Sequence, residues 1–297
     1  MKITAPMVKE LRQRTGSGMM ECRRALTAAE GDMEIAIENM RKAGLAKADK
    51  KASRVAAEGM IGIKISDDAK TAAMVDVNSE TDFVTKSEDF ITFVNLVTDL
   101  VLNNEISSTD ELLAAELSAG KTVDDTRRAL IVKVGENITL RRLERYTSTG
   151  SIASYVHGSK IGILVEMGDE NVALGKDIAM HIAALNPQCV LEEDVPAAVI
   201  AKEKEIISGR IKIEAEETGK SKPDAIIEKM ATGRIKKFLS EITLVGQKFV
   251  KDDKVTVAEL LKSNKTSVVR FSRFEVGEGI EKADEDFAAE VMAQVNG

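Results

Sequence analysis

The sequence predicts an α+β protein: a small helical domain followed by a core in which one strand-and-helix pattern is used twice. Three observations carry this. The first 45 residues show only helical apolar spacing punctuated by glycines, period-two alternation takes over near residue 58, and the order strand pair, helix, strand recurs after residue 150. A length of 297 residues fits about two domains, and 43% apolar residues suffice for a sizeable core.

Three short helices come first. "APMVKELRQRTG" sets Val8 and Leu11 at i, i+3 and stops at Gly16; "MMECRRALTAAEGD" sets Met19, Cys22, Ala25 and Leu26 on one face and stops at Gly31. "DMEIAIENMRKAG" starts at an N-cap, Asp32, turns Ile35, Ala36 and Met40 inward and stops at Gly44. The Ala-rich, basic stretch "LAKADKKASRVAAEG" reads as a helical linker, closing a first domain over 1–54. "GMIGIKIS" and "TAAMVDVN" read as paired strands joined by "DDAK". A helix is expected over about 88–103 and a further helical region over about 109–134, in "TDELLAAEL" and "VDDTRRALIVKVG", and "NITLRRLERYTS" as a third strand completes a core subdomain over 55–149. The second subdomain, 150–195 with 241–279, repeats the order with the strand pair in "ASYVHGSKIGILVEMG", the helix "NVALGKDIAMHIAALNP" and the strand "TSVVRFSRFEVG". Antiparallel sheets with helices packed on one face are the expected layers. Residues 196–240 form an insertion of two amphipathic helices in an antiparallel hairpin or coiled coil, with Val199, Ile206, Ile213 and neighbours on one side of the first and Ile226, Ile227, Met230, Ile235 and Leu239 in the second. A C-terminal helical module is expected over 280–297.

Composition narrows the function. A net charge of −7 and 3% aromatic residues argue against nucleic acid as the main partner, because phosphate neutralisation needs a basic face and base stacking needs rings. The N-terminal stretch lacks the apolar run of a signal peptide, and no stretch approaches the length of a membrane span. Cys22 and Cys189 are far apart without CxxC spacing, so free thiols and a cytoplasmic location are expected. No phosphate-loop, dinucleotide, zinc or nucleophile-elbow pattern is present, so no cofactor or metal is expected and the protein is not read as an enzyme.

Four places invite a functional reading. Phe83 lies at a strand-to-helix junction in "NSETDFVTKSEDF", where an apolar ring either plugs the core or projects into something else. His157 lies in the Gly-flanked turn "YVHGSK", as a loop histidine with a backbone partner, a contact to another protein, or a general base. His181, inside "IAMHIAAL", reads as a satisfied, partly buried helix histidine. Of the adjacent Met19 and Met20 only one can point fully inward, and the other is available as an adaptable apolar contact.

Taken together, "KELRQRTGSGMMECRRAL", "NSETDFVTK", "YVHGSKIGILVE", "DIAMHIAALNP" and "RFEVGEGIEK" resemble the bacterial elongation factor Ts family along the whole chain and in the family's order. Ser17 and Glu21 stand where family members more often carry Ala and Asp. The resemblance implies an N-terminal domain of the ubiquitin-associated type, a two-subdomain core, a protruding hairpin and a C-terminal module. It also implies a nucleotide exchange factor for elongation factor Tu, the GTPase that carries aminoacyl-tRNA. Thr81, Asp82, Phe83 and Val84 would enter the GTPase near its magnesium ion, with Asp82 adding negative charge that disfavours retained phosphates. His157, Met19 and Met20 would contact the same partner. A homodimer and a 2:2 complex with the GTPase both stay open, and neither nucleic acid nor membrane is an expected partner. The rival classes are an interaction scaffold without exchange activity and an enzyme dependent on His157.

Overall fold

The computed structural model describes residues 3–15, 17–118, 120–217 and 223–281. The protein is α+β and divides into two compact units. One takes the described residues up to Lys64, Ala73–Arg145 and those from Glu275 onward; the other takes Ile65–Ala72 and Tyr146–Phe274.

In the first unit, α1 (Ala5–Thr15), α2 (Met19–Ala28) and α3 (Met33–Lys51) bury Val8, Leu11, Cys22, Leu26, Ala29 and Ala36 against one another. The Asp32 carboxylate caps α3 by accepting from the Ile35 N–H. Two facings differ from expectation. Ile35 is 48% exposed and Ile37 packs inward instead, while Met19 stands out of the face that Cys22 and Leu26 bury. The expected stop at Gly44 is also overturned, since α3 runs through it to Lys51. A glycine costs about 1 kcal/mol in a helix interior, which tertiary contact offsets here. A Cβ at Gly44 would lie 3.4 Å from Val132, and Arg41–Asp125 and Asp49–Arg128 pairs, each 2.9 Å, bind α3 to the later helix over 123–134.

Strands β1 (Glu58–Ile65) and β2 (Thr71–Ser79) are hydrogen-bonded neighbours joined by too short a link for a crossover, so they form an antiparallel hairpin. β2 is the central strand of the sheet and is buried from Ala72 to Ser79. A one-turn helix, α4 (Asp82–Thr85), and α5 (Glu88–Asn103) follow. Ser87 caps α5, which buries Phe90, Phe93, Val94, Val97, Thr98 and Val101 at helical spacing. At Gly62 the strand and α5 approach so closely that a Cβ would sit 2.3 Å from Thr98 Oγ1 and 2.8 Å from Val94.

The helical region expected over 109–134, in "TDELLAAEL" and "VDDTRRALIVKVG", is two helices, the first ending earlier than expected. α6 (Thr109–Ala114) gives way to an antiparallel ribbon, β3 (Glu116–Ser118) and β4 (Lys121–Thr122), before α7 (Val123–Val134). Thr122 and Asp125 form a reciprocal capping box that starts a new helix there, and Gly135, left-handed at φ 81°, ends it. β5 (Ile138–Thr147) then adds to β2. Inside the sheet, Asp76 is fully buried, 3.0 Å from Arg142 Nε. Burial pushes its carboxyl above the usual range, against the pull of the Arg142 and Arg141 charges.

The second unit repeats the scheme. β6 (Ser151–His157) and β7 (Ile161–Met167) form an antiparallel hairpin, α8 (Val172–Leu185) packs on it, and β10 (Val268–Glu275) joins the sheet beside β7. Between them lie a second ribbon, β8 (Lys248–Phe249) with β9 (Asp252–Thr256), and α11 (Val257–Ser263). Thr256 and Glu259 cap α11 as Thr122 and Asp125 cap α7. The repetition is thus of topology: in both sheets the hairpin's second strand is central and takes the late strand as its other neighbour.

The insertion is α9 (Ala197–Glu217) and α10 (Asp224–Ile242). Its inward residues are Ile207, Ile211 and Ala231, with Ile227, Met230 and Ile235 against them. Val199, Ile206 and Ile213, spaced i, i+7 on α9, are exposed, as is Ile226 on α10, and it is their neighbours Ile207 and Ile211 that face inward. At its base the Gln188 N–H donates to Ile242 O at 2.7 Å and the Leu244 N–H to Cys189 O at 2.9 Å. The C-terminal helix expected over 280–297 lies almost wholly outside the described residues, which end at 281. No helix among the described residues is long and apolar enough to cross a membrane.

Candidate functional site

The buried strand β2 ends at Ser79, and the chain turns out of the sheet into Glu80, Thr81 and the single turn of α4. Thr81 is extended at φ −124°, ψ 160°, the geometry of an N-cap. Two consecutive apolar residues then part company. Val84 is 8% exposed and joins the first unit's core, whereas Phe83 is 79% exposed. No other phenylalanine among the described residues is exposed. Phe83 therefore does not plug the strand end; Val84 does.

The turn is tied at several points. Thr81 donates both its N–H (2.9 Å) and its hydroxyl (2.7 Å) to the Glu136 carboxylate, and the Asn137 N–H donates to Glu80 at 2.6 Å. Asn137 Nδ2 donates in turn to Arg54 O at 2.9 Å. The Ser79 hydroxyl donates to Thr81 O, that of Thr85 to Asp82 O and that of Ser87 to Val84 O. Lys86 pairs with Asp82 at 2.7 Å and lies 5.7 Å from the centre of the Phe83 ring. The Asp82 charge is thus compensated locally in the free protein. Neither Glu136 nor Lys86 was singled out from sequence. Lys86, at i+4 from Asp82, is detectable from helical spacing, but nothing local connects Glu136 to Thr81.

Met19 and Met20 begin α2 and are 46% and 66% exposed, so neither points fully inward. They belong to the same unit as the Phe83 turn; His157 belongs to the other. His157 ends β6 on an exposed hairpin, its carbonyl accepting from the Lys160 N–H at 3.1 Å. Gly158 and Ser159, at φ 54° and 61°, give the paired positive φ values of a primed turn. The His157 ring is 3.2 Å from the Tyr155 hydroxyl, its neighbour two residues back on the same strand face. Among the described residues no carboxylate is paired with the ring.

His181 is satisfied as expected, but fully rather than partly buried. Its Nδ1 accepts from the Val250 N–H at 3.1 Å, so Nε2 carries the proton and donates to Gln247 Oε1 at 2.9 Å. Burial holds its pKa below the ordinary value, the hydrogen bond it donates to Gln247 opposing. The ring is a neutral structural group.

The family described as Elongation factor TS matches residues 80–278, from the Phe83 turn to the end of the last sheet. The chain is 60% identical to Elongation factor Ts of Methylococcus capsulatus, covering 99% of both chains. It is 54% identical to Elongation factor Ts of Thioalkalivibrio sulfidiphilus over all of both chains, and 51% identical to that of Legionella pneumophila strain Paris over 99% of this chain and 98% of the relative. With a family match over two thirds of its length and such relatives end to end, the chain belongs to the elongation factor Ts family of translation elongation factors.

Proposed function

We propose that the protein is a guanine-nucleotide exchange factor that binds elongation factor Tu, disturbs its magnesium and phosphate site with the Thr81–Val84 turn, and so releases GDP. It acts by protein–protein binding in the cytoplasm and catalyses no covalent step. The observation that carries the reading is Phe83: a large ring 79% exposed on a turn fixed at both sides. A free-standing aromatic ring gives up apolar burial unless a partner supplies it.

The mechanism follows from linkage. A protein that binds the nucleotide-free GTPase more tightly than the loaded form weakens nucleotide binding by the same factor. A ring that finds its cavity only when the GTPase opens gains its burial energy only in that state and shifts the population towards it. Displacing elements that support the magnesium ligands leaves the phosphate charge less well neutralised. Asp82 can add repulsion only once its pair with Lys86 opens, which makes the ring the primary agent. Met19, Met20 and His157 serve as further contacts to the GTPase, and the helices of residues 1–54 act as a docking domain. The hairpin over 196–240 and the module over 280–297 extend that docking or join two copies.

The test is stopped-flow release of fluorescent GDP from purified elongation factor Tu, with and without the protein. Large acceleration supports the reading. Tight binding without acceleration would replace it with a scaffold role.

A further inference from the structure

The turn bearing Phe83 is too short to hold itself. α4 has four residues, and one helical turn fixes several dihedral angles for a single hydrogen bond. The Thr85 and Ser87 hydroxyls and the Lys86–Asp82 pair help to close it, and the rest of its order comes from outside. Val84, buried in the core, fixes the chain on one side of Phe83. On the other side the fixed point is Thr81, and what fixes it is Glu136, fifty-five positions away. One carboxylate oxygen takes the Thr81 N–H and the other its hydroxyl, so position and rotation are set together. The Thr81 hydroxyl makes no capping bond to its own helix; it is turned to Glu136 instead.

The contact is also reciprocated. Glu80, next to Thr81, accepts from the N–H of Asn137, next to Glu136. Two loops thus exchange carboxylates, each holding a backbone N–H of the other. Asn137 further holds the backbone of Ala52 and Arg54 at the end of the N-terminal helices. A merely solvated acidic pair would not show this crossed pattern.

We infer that Glu136 is a positioning residue for Phe83: its grip on Thr81 keeps the ring standing out in the orientation that enters the partner. The inference rests on the exchange-factor reading for its consequence in GDP release, but not for its geometry. When the competent orientation is only fractionally populated, apparent activity falls by that fraction.

The experiment uses the full chain carrying Glu136→Ala or Glu136→Gln, alone and combined with Phe83→Ala, in stopped-flow GDP release from elongation factor Tu. Glu136→Ala should lower the acceleration about tenfold. Glu136→Gln, which keeps one acceptor oxygen, should fall between it and the unaltered protein. In the Phe83→Ala background, Glu136→Ala should cost less than about twofold, because no ring is left to position. A full tenfold loss in that background, or no loss in the single variant, would overturn the inference. A second readout needs no GTPase: the ¹⁹F resonance of 4-fluorophenylalanine at position 83, assigned by its loss in Phe83→Leu, should narrow in Glu136→Ala as the ring is freed. An unchanged line would sink the positioning role whether or not the protein accelerates GDP release. Failure of the unaltered protein to accelerate release, with the line narrowing as expected, would instead remove the exchange reading alone.

Discussion

Replacing Phe83 by Ala removes the ring and leaves the turn. Fully burying a phenylalanine side chain is worth about 1.5–3 kcal/mol. In the free protein 79% of Phe83 is exposed, so roughly four fifths of that, about 1.2–2.4 kcal/mol, remains to be gained on contact. At about 1.4 kcal/mol per factor of ten, Phe83→Ala should slow protein-stimulated GDP release roughly seven- to fifty-fold. The assay is stopped-flow fluorescence with the protein below saturation, so that lost binding and lost acceleration both register. Because the ring makes little core contact, thermal stability should shift by no more than about 0.5 kcal/mol, and a melting curve separates loss of the wedge from loss of the fold. Phe83→Leu should keep much of the effect, since shape and apolarity matter here rather than aromaticity. Unchanged acceleration by a normally folded Phe83→Ala variant would refute the wedge and shift the mechanism to Met19 and Met20 or to the His157 turn.

Three further outcomes follow from burial. An unfolded histidine titrates near 6.5, while native His181 takes up its proton only at lower pH; the unfolded chain therefore holds more protons in that window. Stability should fall as pH drops below about 6.5, by at most about 1.4 kcal/mol per pH unit. Urea midpoints at several pH values should show this slope reduced in His181→Gln, and identical slopes would contradict it. Gly62→Ala should destabilise by about 1–3 kcal/mol, because the added methyl would meet Thr98 and Val94 on α5; equilibrium denaturation reads this directly. Asp76→Asn should cost about 1–3 kcal/mol by taking the carboxylate from Arg142. It should also speed amide exchange near Glu275, whose carbonyl Arg142 holds at 2.9 Å.

Local signals marked most of the fold. Asp32, Ser87 and Asn186 bracket helices with chemistry visible in the sequence, and the alternation in β6 and β7 ends at a turn that Gly158 announces. What escaped was decided by packing. Gly44 looks like a stop, yet α7 lies against it. Glu116 and Leu117 look like the end of a helix, yet they enter a ribbon that precedes the Thr122–Asp125 box. In α9 the apolar residues exceed what one neighbouring helix can cover, so spacing alone could not say that Ile207 and Ile211 rather than Ile206 and Ile213 face inward. At the site, "TDFV" was legible as a motif and the outward stance of Phe83 was not, because Val84 competes for the same core. The Glu136 grip on Thr81 spans fifty-five positions and leaves no periodic trace.

The paired chain segments at the base of α9 and α10 make the hairpin a cantilever. Its two ends are already joined by the bonds from Gln188 to Ile242 and from Leu244 to Cys189. Closing the loop there asks nothing of the helices beyond, and lengthening a loop whose ends already meet adds little entropy cost. Each added or deleted turn would change the arm's reach by about 5.4 Å without moving the sheet below. Reach is therefore an adjustable dimension of this protein, set by the number of helical turns and independent of the turn that holds Phe83.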